Sequence, residues 1–142
     1  MDRPIAVYVV GVFDLFHVGH LNVLQLAKRL GDILIVGVST DEYARSYGKH
    51  PIIPFEQRRR IIEALRCVDV VLPHKYAKDY DAIDVYDVNI RVVSPHYGDY
   101  GRSKVHEEAR RELEQKGVRY VILPRTSGVS TTEIKERIKK HE

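Results

Sequence analysis

Ile5-Ala-Val-Tyr-Val-Val-Gly-Val-Phe-Asp-Leu-Phe-His-Val-Gly-His20 is the stretch whose reading decides the architecture of this chain. Ile5 to Val10 is rich in β-branched residues and reads as a strand. A loop follows it, then a helix running to about Leu30 that carries Leu21, Leu24, Leu26, Ala27 and Leu30. Gly31 stands where glycine ends a helix. A strand, a loop and a helix in that order are the opening of an α/β unit.

The same alternation continues to the far end. Ile33 to Val38 is apolar at every position, as a strand buried on both faces requires. A helix near Pro54 runs to about Leu65 with Ile61, Ile62 and Leu65 inward, and Val68 to Leu72 forms a third strand with Pro73 behind it. The polar stretch His74 to Val88 reads as a loop with a short helix. Ile90 to Val93 and Tyr120 to Leu123 are strands four and five, with a charged helix from Glu107 to Lys116 between them. Ser130-Thr-Thr-Glu133 is a capping-box pattern that opens a last helix toward His141. The expectation is one α/β domain over residues 1–142, a Rossmann-like parallel sheet of about five strands with helices on both faces.

The totals bound the function. The chain has 142 residues, 23 Lys and Arg against 20 Asp and Glu, a formal charge of +3, and one cysteine, Cys67. One cysteine excludes an intrachain disulfide framework and fits a reducing cytoplasm. No apolar run approaches the roughly 18 residues of a membrane span, so a soluble, unprocessed protein with no membrane partner is expected. The charges are interspersed along the chain and form no basic stripe, which argues against a nucleic-acid partner.

In open parallel sheets, ligands bind beyond the carboxyl ends of the strands. The segment Gly11 to His20 sits there, directly after the first strand. Gly11 and Gly19 allow close backbone approach, and N–H groups at a helix start make an anion site. His17 and His20 would flank a phosphate held in that cradle. By itself His-x-x-His also fits a chance pair or a metal site, although no further metal ligands can be placed nearby. The P-loop and Gly-x-Gly-x-x-Gly patterns are both absent.

Gly11-Val-Phe-Asp-Leu-Phe-His-Val-Gly-His20 resembles the G-x-F-D-x-x-H-x-G-H motif of the cytidylyltransferase-like nucleotidyltransferases. Arg125-Thr-Ser-Gly-Val-Ser-Thr-Thr132 resembles that family's R-T-x-G-[IV]-S-T-[ST]. Between them, Ser39-Thr-Asp-Glu42, Lys49 through Glu56-Gln-Arg58, and Arg66-Cys-Val-Asp-Val-Val71 are similar to further family segments, in the family's order.

The resemblance implies transfer of CMP from CTP, bridged by Mg²⁺, to a phosphorylated small alcohol. Glycerol 3-phosphate is the leading acceptor. Phosphoethanolamine, phosphocholine, or an ATP-using transfer to a flavin or sugar phosphate are alternatives, as is a nucleotide-binding protein without turnover. It implies catalytic roles for His17, His20, Lys49 and Arg125. Nucleotide contacts would come from Gly11, Val12, Phe13, Asp14, Asp99, Thr126, Ser130 and Thr131, and acceptor contacts from Asp41, Arg58 and Asp99. It implies no resident metal and a homodimer paired through Arg66 to Val71.

Several of these residues have a plainer reading. Asp14 could form a local turn, Ser130 could simply cap its helix, and Lys49 could be a surface lysine. Arg58 could belong to a solvated face with Arg59 and Arg60. Departures from the family pattern gather on the acceptor side: Val12 in place of Thr, Arg45 or Tyr47 where a loop lysine precedes Lys49, only Gly98-Asp99 recognisable after strand four, and Ser127 in place of Glu. Tyr76, Tyr80, Tyr86, Tyr97 and Tyr100 could supply an aromatic cage for a quaternary ammonium acceptor.

Overall fold

The computed structural model describes residues 3–78, 80–93, 104–124 and 126–141. Five strands, β1 (Ala6–Gly11), β2 (Ile33–Ser39), β3 (Val70–His74), β4 (Ile90–Val93) and β5 (Arg119–Ile122), form one parallel sheet in the order β3-β2-β1-β4-β5. Among the described residues, six helices accompany them: α1 (Val18–Lys28), α2 (Asp41–Ser46), α3 (Phe55–Glu63), α4 (Asp81–Val85), α5 (Lys104–Gln115) and α6 (Thr131–Lys140). The chain builds outward from β1 to β3, then returns to the other side of β1 for β4 and β5. The reversal makes the carboxyl end of β1 the switch point of a doubly wound sheet.

Strand alternation assigns each side chain to one of two cores. Val7, Val9, Leu34, Val36 and Val38 face Leu24, Ala27 and Ile62, from α1 and α3. Ala6, Tyr8, Val10 and Ile35 face the opposite way, against Ala82, Ile83 and Leu113 of α4 and α5. Burial on both faces explains why β1 and β2 read as unbroken apolar runs. None of the described helices is long and apolar enough to cross a membrane.

Three elements differ from the sequence expectation. β3 continues through Pro73 to His74, with Pro73 in register opposite Val38. β3 lies at the sheet edge, where a missing N–H is tolerated. Ile61 is 40% exposed, and the inward positions of α3 are Arg58 and Ile62, one turn apart. The short helix α2, capped by the Thr40 hydroxyl accepting from the Tyr43 N–H, has no counterpart in the sequence reading.

The expected dimer segment already has work within one chain. Asp69 accepts from the Leu34 N–H at 2.8 Å and from Lys28 Nζ at 2.6 Å. Burial pushes its carboxyl up, and the two donors outweigh that and hold it below the ordinary value.

Arg58 is a fully buried cation. Its side chain has no exposed surface. It donates Nε–H to the Ile53 carbonyl at 2.8 Å, Nη1 to the Val12 and Ser39 carbonyls at 2.7 and 2.8 Å, and Nη2 to Asp41 at 2.7 Å. Partial burial pushes the Asp41 carboxyl up. The Arg58 and Phe55 N–H donors together outweigh that and lower it from 3.8.

Replacing Arg58 with Met should cost about 3–5 kcal/mol in urea unfolding, because it leaves buried carbonyls and Asp41 without their donor. Asp41 binds fewer protons folded than unfolded, so its contribution is intact above pH 3.8 and is lost as acid takes the pH through its lowered folded value. An acid titration of unfolding should therefore show a shallower decline in the Arg58→Met protein than in the wild type.

Candidate active site

A cleft of about 270 Å³ opens where β1, β2 and β3 end, and the last residue of each strand, Gly11, Ser39 and His74, lines it. The N-termini of α1 and α6 close its other side through His17, Gly19, Ser130 and Thr131. Two helix starts aimed at one cavity bring partial positive charge and unpaired N–H groups, the setting an anion requires.

His17 is the N-cap of α1, with its Nδ1 accepting from the Gly19 N–H at 3.0 Å. His20 Nδ1 accepts from the His17 N–H at 3.2 Å, so two imidazoles form a reciprocal capping box. A neutral ring whose Nδ1 accepts a hydrogen bond carries its proton on Nε2. Both rings are thereby set as Nε2–H donors. They stack with centroids 3.8 Å apart, and Phe16 stacks on His20 at 5.3 Å while Phe13 meets it edge-on. Gly19 is required beside them. A Cβ there would lie 2.9 Å from His17 Cε1 and 3.2 Å from Val129.

Asp14 fixes the loop that leads to the pair. Phe13 and Leu15, on either side of it, have φ of 55° and 49° in the left-handed region that disfavours side-chain-bearing residues. Asp14 holds them there. Its Oδ1 accepts from the Leu15 and Ile53 N–H groups and its Oδ2 from the Ile52 N–H, at 2.8–3.1 Å. Thr131 donates its hydroxyl to the Asp14 carbonyl at 2.9 Å, and Lys135 Nζ stands 3.8 Å from Oδ2. One buried carboxylate therefore joins the β1 loop to the segment before α3, with α6 beside it.

On the α6 side, Ser130 caps the helix by accepting from the Glu133 N–H at 3.0 Å. Thr126 accepts from Asn22 of α1 at 2.9 Å, which ties the entry of α6 to the histidine helix. The Thr131 Oγ1 lies 3.5 Å from His17 Nε2. Gly11, Val12, Phe13, Asp14, His17, His20, Lys49, Thr126, Ser130 and Thr131 all line the one cleft. Arg125 and Asp99 lie outside the described residues.

The acceptor-side expectation needs correction. Arg58 is absorbed by the fold: every donor group of its guanidinium has a protein partner and none of its side chain reaches solvent. Asp41 is turned to Arg58 and to the Phe55 N–H. Among the expected tyrosines, Tyr80 is engaged with Glu112 and Lys116 between α4 and α5, and Tyr76 and Tyr86 are exposed away from the cleft lining. Tyr97 and Tyr100 are outside the described residues.

The tyrosines that line the cleft are Tyr43 and Tyr47, joined by His74, His50 and Lys135. Lys135 could have been found by its spacing, one helical turn beyond Thr131 on the same face. His74 is hidden from a reading that ends the strand at Leu72, before Pro73. Among the described residues no group of three or more His, Cys, Asp or Glu side chains could hold a metal ion.

A family profile described as cytidylyltransferase-like matches residues 8–137. The chain is 38% identical over 130 residues to a glycerol-3-phosphate cytidylyltransferase of Bacillus subtilis (strain 168), covering 90% of this chain and 92% of that protein. It is 34% identical over 138 residues to an ethanolamine-phosphate cytidylyltransferase of Mus musculus, covering 96% of this chain and 33% of that longer protein. Among solved structures, a lipopolysaccharide core biosynthesis protein from Thermoplasma volcanium GSS1 superimposes with a TM-score of 0.69 at 27% identity, over 87% of this chain and 98% of its own.

Gly19→Ala should keep the circular dichroism of the wild type and lower kcat by about 100-fold, since ring displacements near 1 Å cost that much in an oriented site. His17→Ala should do the same to turnover and also lose about 1 kcal/mol of unfolding free energy with the helix cap. Pyrophosphate release and urea unfolding measure the two effects.

Proposed function

The chain belongs to the cytidylyltransferase-like family, and from that membership we propose that it transfers CMP from CTP to glycerol 3-phosphate, yielding CDP-glycerol and pyrophosphate. The observation that carries the reaction is the histidine pair: both Nδ1 atoms accept backbone N–H groups, which makes both Nε2–H groups donors beside two helix N-termini. The protein is a nucleotidyltransferase enzyme, and the acceptor follows from its likeness to glycerol-3-phosphate cytidylyltransferases.

The chemistry asks little of the protein beyond placement and charge. A phosphate oxygen of the acceptor attacks the α-phosphorus of CTP in line. The new P–O bond forms as the α–β bridging P–O bond breaks, and the electron pair leaves with pyrophosphate. The nucleophile is already an anion, so no general base is needed. His17 and His20 donate to the α-phosphate oxygens, where charge grows most in the transition state. Lys49, Arg125 and the N-terminus of α6 neutralise the leaving pyrophosphate.

Asp14 is the one carboxylate in the described cleft lining, and its oxygens serve backbone N–H groups. On this reading, magnesium enters on the triphosphate as part of the substrate. The use of CTP supports a cytoplasmic setting. A homodimer through Arg66 to Val71 is expected from the family likeness, and light scattering on the purified protein measures it.

Incubation with CTP, Mg²⁺ and glycerol 3-phosphate should release pyrophosphate and give CDP-glycerol by mass spectrometry. CTP should raise the melting temperature more than ATP at equal concentration. Absence of pyrophosphate release with every phosphorylated alcohol offered, CTP being present, rejects the reading.

A further inference from the structure

The histidines and α6 occupy one half of the cleft; the other half lies at the ends of β2 and β3. Ser39 and His74 are the last residues of those strands, pair with each other in register, and are 1% and 4% exposed. Tyr43 and Tyr47, one helical turn apart, stand over them at the end of α2. The Tyr47 hydroxyl bonds to the Ser39 hydroxyl at 3.3 Å. The Tyr43 ring meets Tyr47 edge-on at 5.0 Å and His74 at 4.9 Å with perpendicular planes. All four line the cleft.

The charge of the cleft is as informative as its shape. Asp14 is the one carboxylate in its lining among the described residues, and it is committed to three backbone N–H groups. Asp41, the nearby acid on α2, is committed to Arg58 and the Phe55 N–H. The lysines that line the cleft, Lys49 and Lys135, are cations. Among the described residues, an ammonium group entering this corner would meet no carboxylate left uncommitted, and two lysines would oppose it. Hydroxyl groups would meet hydroxyl and imidazole partners that both donate and accept.

We propose that Ser39, Tyr43, Tyr47 and His74 form the acceptor-tail subsite, and that it selects a phosphate monoester with an uncharged, hydroxylated tail over one bearing an ammonium group. This rests on the cytidylyl-transfer reading above. The acceptor phosphate must lie against the α-phosphate at His17 and His20, and with α6 holding the nucleotide its tail extends toward β2 and β3.

The test separates binding from turnover. Glycerol 3-phosphate, phosphoethanolamine and phosphocholine are titrated calorimetrically into protein saturated with Mg²⁺ and α,β-methylene-CTP, whose methylene bridge blocks transfer. Glycerol 3-phosphate should bind at least about tenfold more tightly than either amine, and Tyr43→Phe, Tyr47→Phe and His74→Gln should each weaken it by roughly three- to tenfold, the worth of one hydrogen bond. Affinity for the methylene analogue should stay within about twofold of wild type, and in turnover KM for glycerol 3-phosphate should rise while KM for CTP does not.

Amines that bind as tightly as glycerol 3-phosphate overturn the proposal. So does unchanged glycerol 3-phosphate affinity in the variants, or a loss of nucleotide affinity in its place. Should His74→Gln lose its native circular dichroism, the two tyrosine variants, each short of one oxygen atom, decide the matter. If the analogue does not bind and CTP releases no pyrophosphate, the cytidylyl reading has failed. The same three titrations into nucleotide-free protein then judge the subsite by the same ratios.

Discussion

One guanidinium holds the upper edge of this molecule in place. Arg58 bonds the carbonyl of Val12 after β1, the carbonyl of Ser39 at the end of β2, the Ile53 carbonyl before its own helix, and the Asp41 carboxylate at the start of α2. Strand ends carry carbonyl groups with no ladder partner, and burying them without donors is costly. A lysine offers a point charge on a flexible stem and cannot supply that fork of directed donors. Arg58 thereby fastens the ends of β1 and β2, which border the cleft, to the starts of α2 and α3 at a single buried point.

The site built on that foundation uses its groups twice. His17 and His20 close the first turn of α1 and at the same time acquire the tautomer that leaves Nε2–H as a donor. Asp14 stabilises two left-handed residues and also sets the distance between the β1 loop and the segment that follows Lys49. Preorganisation of this kind suits a reaction in which the attacking atom arrives already charged. The protein then has no proton to move, only geometry to keep.

Much of this was legible in the sequence. The unbroken apolar runs of β1 and β2 declared a parallel sheet, Gly11 to His20 placed the histidine pair after its first strand, and Ser130 to Glu133 marked the start of α6. What escaped depends on contacts between distant segments. Within Arg58-Arg59-Arg60 the helical spacing to Ile62 points Arg58 inward, but only the fold reveals four oxygen partners waiting there. Helix α2, with six residues, is too short for periodicity to announce it. Tyr43 and Tyr47 enter the cleft only because that helix exists. Proline is a fair signal for the end of a strand, and it misled here because β3 is an edge.

That edge proline has a consequence for assembly. The His74 carbonyl accepts from the Thr40 N–H, so His74 directs its backbone inward and Pro73, its neighbour, directs its own outward. At the outer margin of the sheet the chain thus presents a residue with no N–H to offer. A strand from another molecule would find its hydrogen-bond ladder interrupted after two or three residues, which blunts a margin that would otherwise template sheet growth. Copies of this protein that meet along β3 would gain few backbone hydrogen bonds there and would rely mainly on side chains.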